Sequence, residues 1–216
     1  MTLKADLYFS FRSPYSYLAI GRYRAMAEEH DLDINLRVVW PIAIRDPDIL
    51  FTGNPAAPRY IMLDSFRTAQ MLGIPFRWPR PDPVVQNLAT REIAEDQPLI
   101  HRVCRLGQAA TRRGKGLEFA DEVSRIIFSG EIDDWDKGDH LANAAARAGL
   151  DLAELDEEAA SDAQALDAEI AANQDALEAA GHWGVPTLVF EGEPFFGQDR
   201  IETAKWRMAQ KGLARR

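Results

Sequence analysis

Strand patterns near both ends of the chain, separated by a long helical stretch, place the strongest constraint on its fold. Residues 5–11 (Ala-Asp-Leu-Tyr-Phe-Ser-Phe) and 33–40 alternate apolar and polar side chains, which is typical of half-buried strands. Residues 186–190 are short and apolar, and residues 194–196 follow them after a turn, as in a hairpin. Strand, helix and strand thus precede the helical stretch, and strand, strand and helix follow it. This order predicts an α/β fold interrupted by an insertion.

The stretch between the strand patterns is interpreted as an all-helical insertion domain over residues 51–181. Its apolar side chains recur every three or four positions, as on one face of a helix. These patterns cover residues 60–72, 99–113, 117–128, 137–148 and the acidic stretch 161–180. Residues 46–58, rich in Pro, Gly and Asn, predict a loop. Residues 1–50 and 182–216 are then expected to form one domain around the insertion.

The first strand pattern runs directly into a helix start at Ser13-Pro14. Serine is favoured at the N-cap because its hydroxyl accepts from an unpaired N–H, and proline suits the first helical position because its missing donor costs nothing there. We expect the Ser13 hydroxyl at the positive end of a helix, which favours an anion such as a thiolate. A hydrogen bond from this hydroxyl would lower the pKa of a bound thiol. The alternative is that Ser13-Pro14 only begins a helix.

Charge and cysteine content exclude several classes of function. The formal net charge of −9 argues against binding to nucleic acid or to an anionic membrane. Cys104 is the single cysteine, so the chain forms neither an internal disulfide nor a Cys-x-x-Cys redox pair. We expect Cys104 to be a small buried apolar residue. The histidines lack metal-ligand spacing and no glycine-rich phosphate loop occurs, so we predict neither metal nor nucleotide.

The N-terminal residues and the hydropathy of the chain bear on its location. The first residues, Met-Thr-Leu-Lys-Ala-Asp, lack the charged and then apolar pattern of a signal peptide. No apolar run approaches the roughly 20 residues that span a bilayer. We therefore expect a cytoplasmic protein in a reducing compartment, where glutathione is abundant, and we expect it to form a homodimer.

Four short motifs follow one another along the chain. They are Phe9-x-Phe11-x-Ser13-Pro14-Tyr15-Ser16-Tyr17-Leu18-Ala19, Gly53-Asn54 with Tyr60-x-x-x-Asp64, Gly181-x-Trp183-Gly184-Val185-Pro186-Thr187, and Phe195-Phe196-Gly197-x-Asp199-Arg200. Together they resemble the 2-hydroxychromene-2-carboxylate isomerases and the related kappa-class glutathione transferases over nearly the whole chain. The resemblance implies a thioredoxin-like fold with a helical insertion, with serines in the places of the usual cysteine pair.

The resemblance also implies a glutathione site assembled from both ends of the chain. Ser13 would bond the glutathione sulfur and act as the catalytic residue. Asn54 would lie near the tripeptide. Val185, which precedes a cis Pro186, would pair its backbone with the cysteinyl unit of glutathione, as an added strand does.

For the two ends of glutathione, the resemblance implies separate groups of residues. The N–H groups at Gln198-Asp199 would suit the γ-glutamyl carboxylate, and the Asp199 side chain would suit the α-ammonium. Members of the family often carry a lysine three residues before the tyrosine that matches Tyr60, but this chain has Ala57 there. Arg59 would take the place of that lysine against the glycyl carboxylate. The alternative for Asp199 is a capping box with Glu202, three residues on.

The reaction that the resemblance implies is the glutathione-dependent isomerisation of 2-hydroxychromene-2-carboxylate or a similar aromatic acid. The alternatives are a kappa-class-like transferase that conjugates electrophiles, and a cysteine-less thioredoxin-fold binding protein without catalysis. Disulfide exchange is excluded by the cysteine count. His182 adjoins the proline and is a candidate for contact with the ligand. Candidate aromatic residues of the pocket are Tyr15, Trp78, Trp135 and Trp183.

Overall fold

The structure, a computed structural model, describes residues 2–46, 56–87, 90 and 92–216. Its main sheet has four strands in the order β2-β1-β5-β6. β1 runs parallel to β2 and antiparallel to β5, and β5 and β6 form an antiparallel hairpin. Leu7, in the middle of β1, lies opposite both Leu36 and Leu188. The strands are β1 (Leu3–Phe9), β2 (Leu32–Val38), β5 (Thr187–Phe190) and β6 (Glu193–Phe196).

Helices connect and cover these strands. Helix α1 links β1 to its parallel neighbour β2, and helix α9 follows the C-terminal hairpin. The regular elements described between β2 and β5 are helices, apart from β3 (Gln86–Asn87) and β4 (Glu92–Ile93), which pair with each other. The helices are α1 (Pro14–Glu29), α2 (Ile42–Arg45), α3 (Ala56–Leu72), α4 (Pro98–Arg112), α5 (Gly116–Phe128), α6 (His140–Arg147), α7 (Leu152–Ser161), α8 (Ala163–Ala179) and α9 (Ile201–Ala209).

The end of β1 is held by aromatic packing against the inserted helices. The rings of Phe9 and Phe11 pack edge to face with their centroids 5.0 Å apart. Phe11 packs in the same way against Phe119 of α5, with centroids 6.1 Å apart. In α4, a Cβ atom at Gly107 would lie 2.5 Å from the Phe11 ring, so only glycine allows this approach of helix to strand. One apolar core therefore spans the sheet and the insertion, and it fixes the loop that leads to Ser13.

The acidic stretch 161–180 forms a helix, as its periodicity predicts. Leu166, Ile170 and Leu177 are fully buried on one face of α8. Carboxylates of α7 and α8 form ion pairs with arginines of α4, so the acidic composition is balanced across a helix–helix contact. The pairs are Arg102–Asp156 at 2.7 Å, Arg105–Asp167 at 2.6 Å, Arg112–Glu169 at 2.5 Å and Arg112–Glu158 at 2.9 Å.

Several local features differ from the sequence-based expectation. The helix expected at 137–148 begins at His140 because residues 131–139 form turns. Helix α7 was not predicted, because it buries only Leu155 and Ala159 and has a weak apolar pattern. Helix α2 has four residues and strands β3 and β4 have two each, and these short elements were also not predicted. Most of the predicted loop 46–58 lies outside the described residues, and α3 begins at Ala56.

Candidate active site

The start of α1 matches the local prediction for Ser13-Pro14. Ser13 is the N-cap, its Oγ accepts from the Ser16 N–H at 3.2 Å, and Pro14 occupies the first helical position. The Tyr17 N–H bonds the Ser13 carbonyl oxygen. Among the described residues, the Tyr15 N–H has no partner. The helix therefore presents an unpaired backbone donor beside the Ser13 hydroxyl, which suits an anion.

The Ser13 side chain faces the loop before β5. Its Oγ donates to the carbonyl oxygen of Val185 at 3.3 Å. The Val185-Pro186 peptide bond is cis, as predicted. Val185 is half-buried, and no described residue accepts from its backbone N–H. A serine hydroxyl, a helix N-terminus and an unpaired backbone N–H thus meet at one place.

The loop from His182 to Pro186 is held from several sides. The Thr187 hydroxyl donates to the Gly184 carbonyl oxygen at 2.7 Å, and the Gly184 N–H donates to Nδ1 of His182 at 2.8 Å. A Cβ atom at Gly184 would lie 2.5 Å from the Phe196 ring, so this glycine permits close packing against β6. From α2, the Arg45 guanidinium donates to the Trp183 carbonyl oxygen.

An aromatic stack lies beside this loop. The His182 ring stacks on the ring of Phe196, with centroids 4.0 Å apart, and on the ring of Trp183, with centroids 5.6 Å apart. Burial lowers the pKa of His182; the hydrogen bond with the Gly184 backbone opposes this shift, and the nearby Arg45 adds to it. Trp183 is 49% exposed and Phe196 40% exposed, so the stack presents apolar surface to solvent next to Val185.

The turn before α9 adjoins the same loop. The Gly197 N–H donates to the Pro186 carbonyl oxygen at 2.8 Å. Arg22 of α1 donates to the Gln198 carbonyl oxygen at 2.7 Å and to its side-chain oxygen at 3.2 Å. The Asp199 side chain is exposed and pairs with Arg200 at 3.2 Å.

The expected capping box of Asp199 with Glu202 is wrong. The N-cap of α9 is Arg200, and no side chain caps the helix. The chain turns one residue later than the motif predicts, because the Arg200 N–H already bonds the Gly197 carbonyl oxygen. The Asp199 carboxylate therefore does not serve as the cap and remains exposed at the turn.

A hydrogen-bonded group connects α1 to α3 next to the serine. The Tyr15 hydroxyl donates to Asp64 at 2.7 Å, and Arg67 donates to the other Asp64 oxygen at 2.6 Å and to the Tyr60 hydroxyl at 2.7 Å. Burial raises the pKa of Tyr15 well above its usual value, and the hydrogen bond to Asp64 raises it further. Tyr15 is therefore a neutral phenol that joins the insertion to the Ser13 helix.

The remaining predicted site residues share no described contact with Tyr15, Asp64 or Arg67, or fall outside the described residues. Arg59 is exposed on the first turn of α3. Asn54 lies outside the described residues. The expectation that Trp135 lines a pocket is wrong, because its ring is 1% exposed and its Nε1 donates to the Pro81 carbonyl oxygen at 2.9 Å. Trp78 lies under the Arg12 guanidinium at 4.7 Å.

The two positions that hold the usual cysteine pair of a thioredoxin-like fold, Ser13 and Ser16, carry no thiol in this chain. Ser16, three residues after Ser13, is fully buried, and its hydroxyl has no partner among the described residues. Cys104 is buried in α4 as predicted, and burial raises the pKa of its thiol far above the ordinary value. Thiol chemistry at Ser13 therefore requires a thiol that comes with a ligand.

Arg45 and Arg22 were missed by the sequence interpretation. Arg45 belongs to a four-residue helix, and Arg22 lies within α1. Neither residue has a local pattern that would separate it from other arginines. Their contacts with Trp183 and Gln198 arise from packing between segments distant in sequence.

A helix that begins beside a cis-proline loop, on a sheet with this strand order, is the arrangement of the thioredoxin fold. The profile of the DSBA-like thioredoxin domain matches residues 4–209, and the chain belongs to that family. No curated protein sequence matches the chain significantly.

Solved structures share this fold over nearly the whole chain. A 2-hydroxychromene-2-carboxylate isomerase superposes with a TM-score of 0.69 and 22% identity, covering 96% of this chain and 95% of the other. A probable DsbA oxidoreductase from Streptomyces coelicolor follows with 0.66 and 18%, covering 96% and 89%. The cytosolic disulfide reductase DsbM from Pseudomonas aeruginosa in its structure with GSH gives 0.59 and 16%, covering 97% and 100%.

Within the described part of the chain, every helix is too short or too polar to cross a membrane.

Proposed function

We propose that this protein is an enzyme that uses glutathione to isomerise 2-hydroxychromene-2-carboxylate or a similar aromatic acid. The observation that carries the proposal is the Ser13 hydroxyl, at the start of α1 and 3.3 Å from the Val185 carbonyl oxygen. This is the place for a thiol in a thioredoxin fold, yet the single cysteine, Cys104, is buried elsewhere. A site of this kind suits a thiol that is brought by a small molecule.

The residues present fit the sulfur, the cysteinyl unit and the γ-glutamyl end of glutathione. The Ser13 hydroxyl, once its proton turns away from the Val185 carbonyl oxygen, and the unpaired Tyr15 N–H offer donors for the sulfur. The unpaired Val185 N–H and its carbonyl oxygen offer a backbone edge for the cysteinyl unit, as in strand addition. The exposed Asp199 carboxylate offers an anion for the γ-glutamyl ammonium. The DsbM structure with GSH has the same fold, which supports the choice of ligand.

Bound glutathione would supply a thiolate for reversible addition to a conjugated carbon of the substrate; the double bond would become a rotatable single bond, the ring would open, and elimination would restore the double bond and the thiolate. The Ser13 hydroxyl donates to the sulfur and lowers the pKa of the thiol. The positive end of α1 acts in the same direction. The apolar surface of Trp183 and Phe196 holds the flat ring of the substrate beside the sulfur.

A kappa-class-like transferase is the second candidate. It uses the same Ser13 and Val185 groups, but the adduct leaves as product. The half-exposed Trp183 and Phe196 are compatible with a transferase, because an open apolar surface admits electrophiles of different shapes. A binding protein without catalysis is the third candidate, and it would leave the Ser13 hydroxyl without a role in turnover.

Two measurements separate these candidates. The first is calorimetric titration with reduced glutathione, which tests binding. The same titration of Ser13→Ala tests whether the Ser13 hydroxyl contributes to the affinity. Turnover is then followed with 2-hydroxychromene-2-carboxylate and with a chloronitrobenzene electrophile, each with and without glutathione. Glutathione-dependent isomerisation without glutathione consumption supports the isomerase, and stoichiometric consumption supports the transferase. Tight binding with neither reaction would leave the binding protein, and no binding would overturn the proposal.

The cellular setting and the assembly state are part of the same proposal. A cytoplasmic location fits a chain with one buried cysteine and a need for reduced glutathione. A homodimer is supported by the exposed apolar side chains of α3, which are Tyr60, Met62, Leu63, Phe66 and Met71. Sedimentation velocity of the wild type and of Leu63→Glu tests the dimer. A monomeric wild type at micromolar concentration would contradict it.

A further inference from the structure

Arg45 is a partly buried cation beside the cis-proline loop. Its Nε is wholly buried and has no hydrogen-bond partner among the described residues. Burial lowers the pKa of Arg45, although Glu178 and Asp46 raise it from a distance. Within residues 2–46, 56–87, 90 and 92–216, no carboxylate forms an ion pair with Arg45. A partly desolvated guanidinium without a paired carboxylate is costly, and a bound anion would offset that cost.

The position of Arg45 relative to the loop is defined by one contact. Its Nη2 donates to the carbonyl oxygen of Trp183, two residues before Val185. The contact leaves other N–H groups of the guanidinium for a ligand, because arginine carries five donors in a planar fork. The same loop is held by His182 and Thr187 through Gly184, so the cation faces a fixed backbone.

The two ends of a peptide that pairs with Val185 fall on opposite sides of that residue. Asp199 and Gln198 lie on the Pro186 side, because the Gly197 N–H bonds the Pro186 carbonyl oxygen. Trp183 and Arg45 lie on the other side. A glutathione molecule with its γ-glutamyl end at Asp199 therefore directs its glycyl end toward Trp183. Each extended residue advances by about 3.4 Å, so the glycyl carboxylate passes the Gly184–Trp183 peptide.

We propose that Arg45 is the specificity-determining cation for the glycyl carboxylate of glutathione. It would replace the lysine of related proteins, whose position is occupied by Ala57 in this chain. This inference rests on the proposed glutathione function and names the residue that reads one end of the ligand. Arg59 is the competing residue, but it is exposed on the first turn of α3 and shares no described contact with the loop. Arg45 touches the loop itself.

Calorimetry with two ligands tests the assignment without any turnover. The ligands are reduced glutathione and its glycyl monoethyl ester, in which a neutral ethyl ester replaces the carboxylate. The wild type should bind glutathione about tenfold or more tightly than the ester, as expected for a charge-assisted contact. Arg45→Met should remove this preference by weakening glutathione binding to the level of the ester. Arg45→Lys should restore part of it, because the charge remains while the fork is lost.

The controls separate charge recognition from loop structure. Arg215→Met removes an exposed arginine that pairs with Glu29, and it should keep the full preference for glutathione. If Arg45 only positions Trp183, then Arg45→Met weakens both ligands equally, and the inference is overturned. Loss of the preference in Arg59→Met, with retention in Arg45→Met, also overturns it.

Binding of the two ligands by the wild-type protein separates failure of the Arg45 assignment from failure of the proposed function. A wild type that binds glutathione and the ester equally would refute the role of Arg45 and leave the glutathione function intact. A wild type that binds neither ligand would refute the proposed function itself.

Discussion

The Ser13 hydroxyl donates to the Val185 carbonyl oxygen at 3.3 Å, although the two residues are 172 positions apart. The contact joins the start of α1 to the loop before β5, and both segments belong to the same sheet through β1 and β5. Because both partners are fixed by the core, the hydroxyl is positioned before any ligand arrives. A rotation of the O–H bond would then turn the Ser13 proton from the Val185 carbonyl oxygen to a bound thiol, with the Oγ atom already in place.

Replacement of Ser13 by alanine should slow glutathione-dependent turnover by more than tenfold, because the bound thiol loses its donor. Loss of the cap should cost only about 1 kcal/mol of unfolding free energy. Asp151→Ala is the matched control, since Asp151 caps α7 by accepting from the Ala153 N–H at 2.7 Å. It should cause a similar stability loss and leave turnover unchanged. Wild-type turnover in Ser13→Ala at saturating glutathione would contradict the role of the hydroxyl.

Replacement of Ser13 by cysteine should create a reactive thiol. The helix N-terminus should hold the pKa of this thiol below the ordinary value of about 8.5. The native protein provides the control, because Cys104 is buried and burial raises the pKa of its thiol. Labelling with a disulfide reagent at pH 7 should be rapid for Ser13→Cys and nearly absent for the wild type. Rapid labelling of the wild type would show that Cys104 is accessible in solution.

Replacement of Asp199 by asparagine should weaken glutathione binding by about tenfold or more, because the γ-glutamyl ammonium loses a charged partner. The melting temperature should stay within error, since Asp199 does not cap α9. Glu202→Gln removes a neighbouring exposed carboxylate of α9 and serves as the control in the same titration. A lower melting temperature with unchanged affinity would return Asp199 to a purely structural role.

The contact between α4 and α8 should make stability depend on pH below neutrality. The hydrogen bond from Arg112 lowers the pKa of Glu169 below its ordinary value in the folded protein. A carboxyl group with a depressed folded pKa stabilises the fold above its unfolded pKa, and this contribution is lost as pH falls through the folded pKa. Glu169→Gln should therefore melt below the wild type at pH 7, and the difference should shrink toward pH 3.

Asp175→Asn, an exposed carboxylate of the same helix, is the control for the acid experiment. Its melting temperature should follow the wild type across the whole pH range. A difference between Glu169→Gln and wild type that stays constant down to pH 3 would show that the Arg112 contact does not couple to protonation.

Local physical chemistry made part of this protein readable from the sequence. The Ser13-Pro14 helix start, the four main strands and the helix at 161–180 each carry a pattern that is visible within a few neighbouring residues, and the structure has all of them. The cysteine count alone excluded an internal redox pair. Burial of Cys104 was equally predictable, since a lone cysteine in an apolar helical pattern tends to be inside.

Tertiary structure decided what no local pattern encodes. Trp135 and Trp183 are the same residue type, yet one is buried with a bonded indole and the other is 49% exposed beside the loop. Asp199 has the spacing of a capping box, but the Gly197 turn shifted the helix start to Arg200. Arg45 reaches the Trp183 carbonyl oxygen across 138 positions of sequence. Such contacts depend on how elements that are far apart in sequence pack together. The spacing of residues along the chain does not indicate which of these elements will lie close in space.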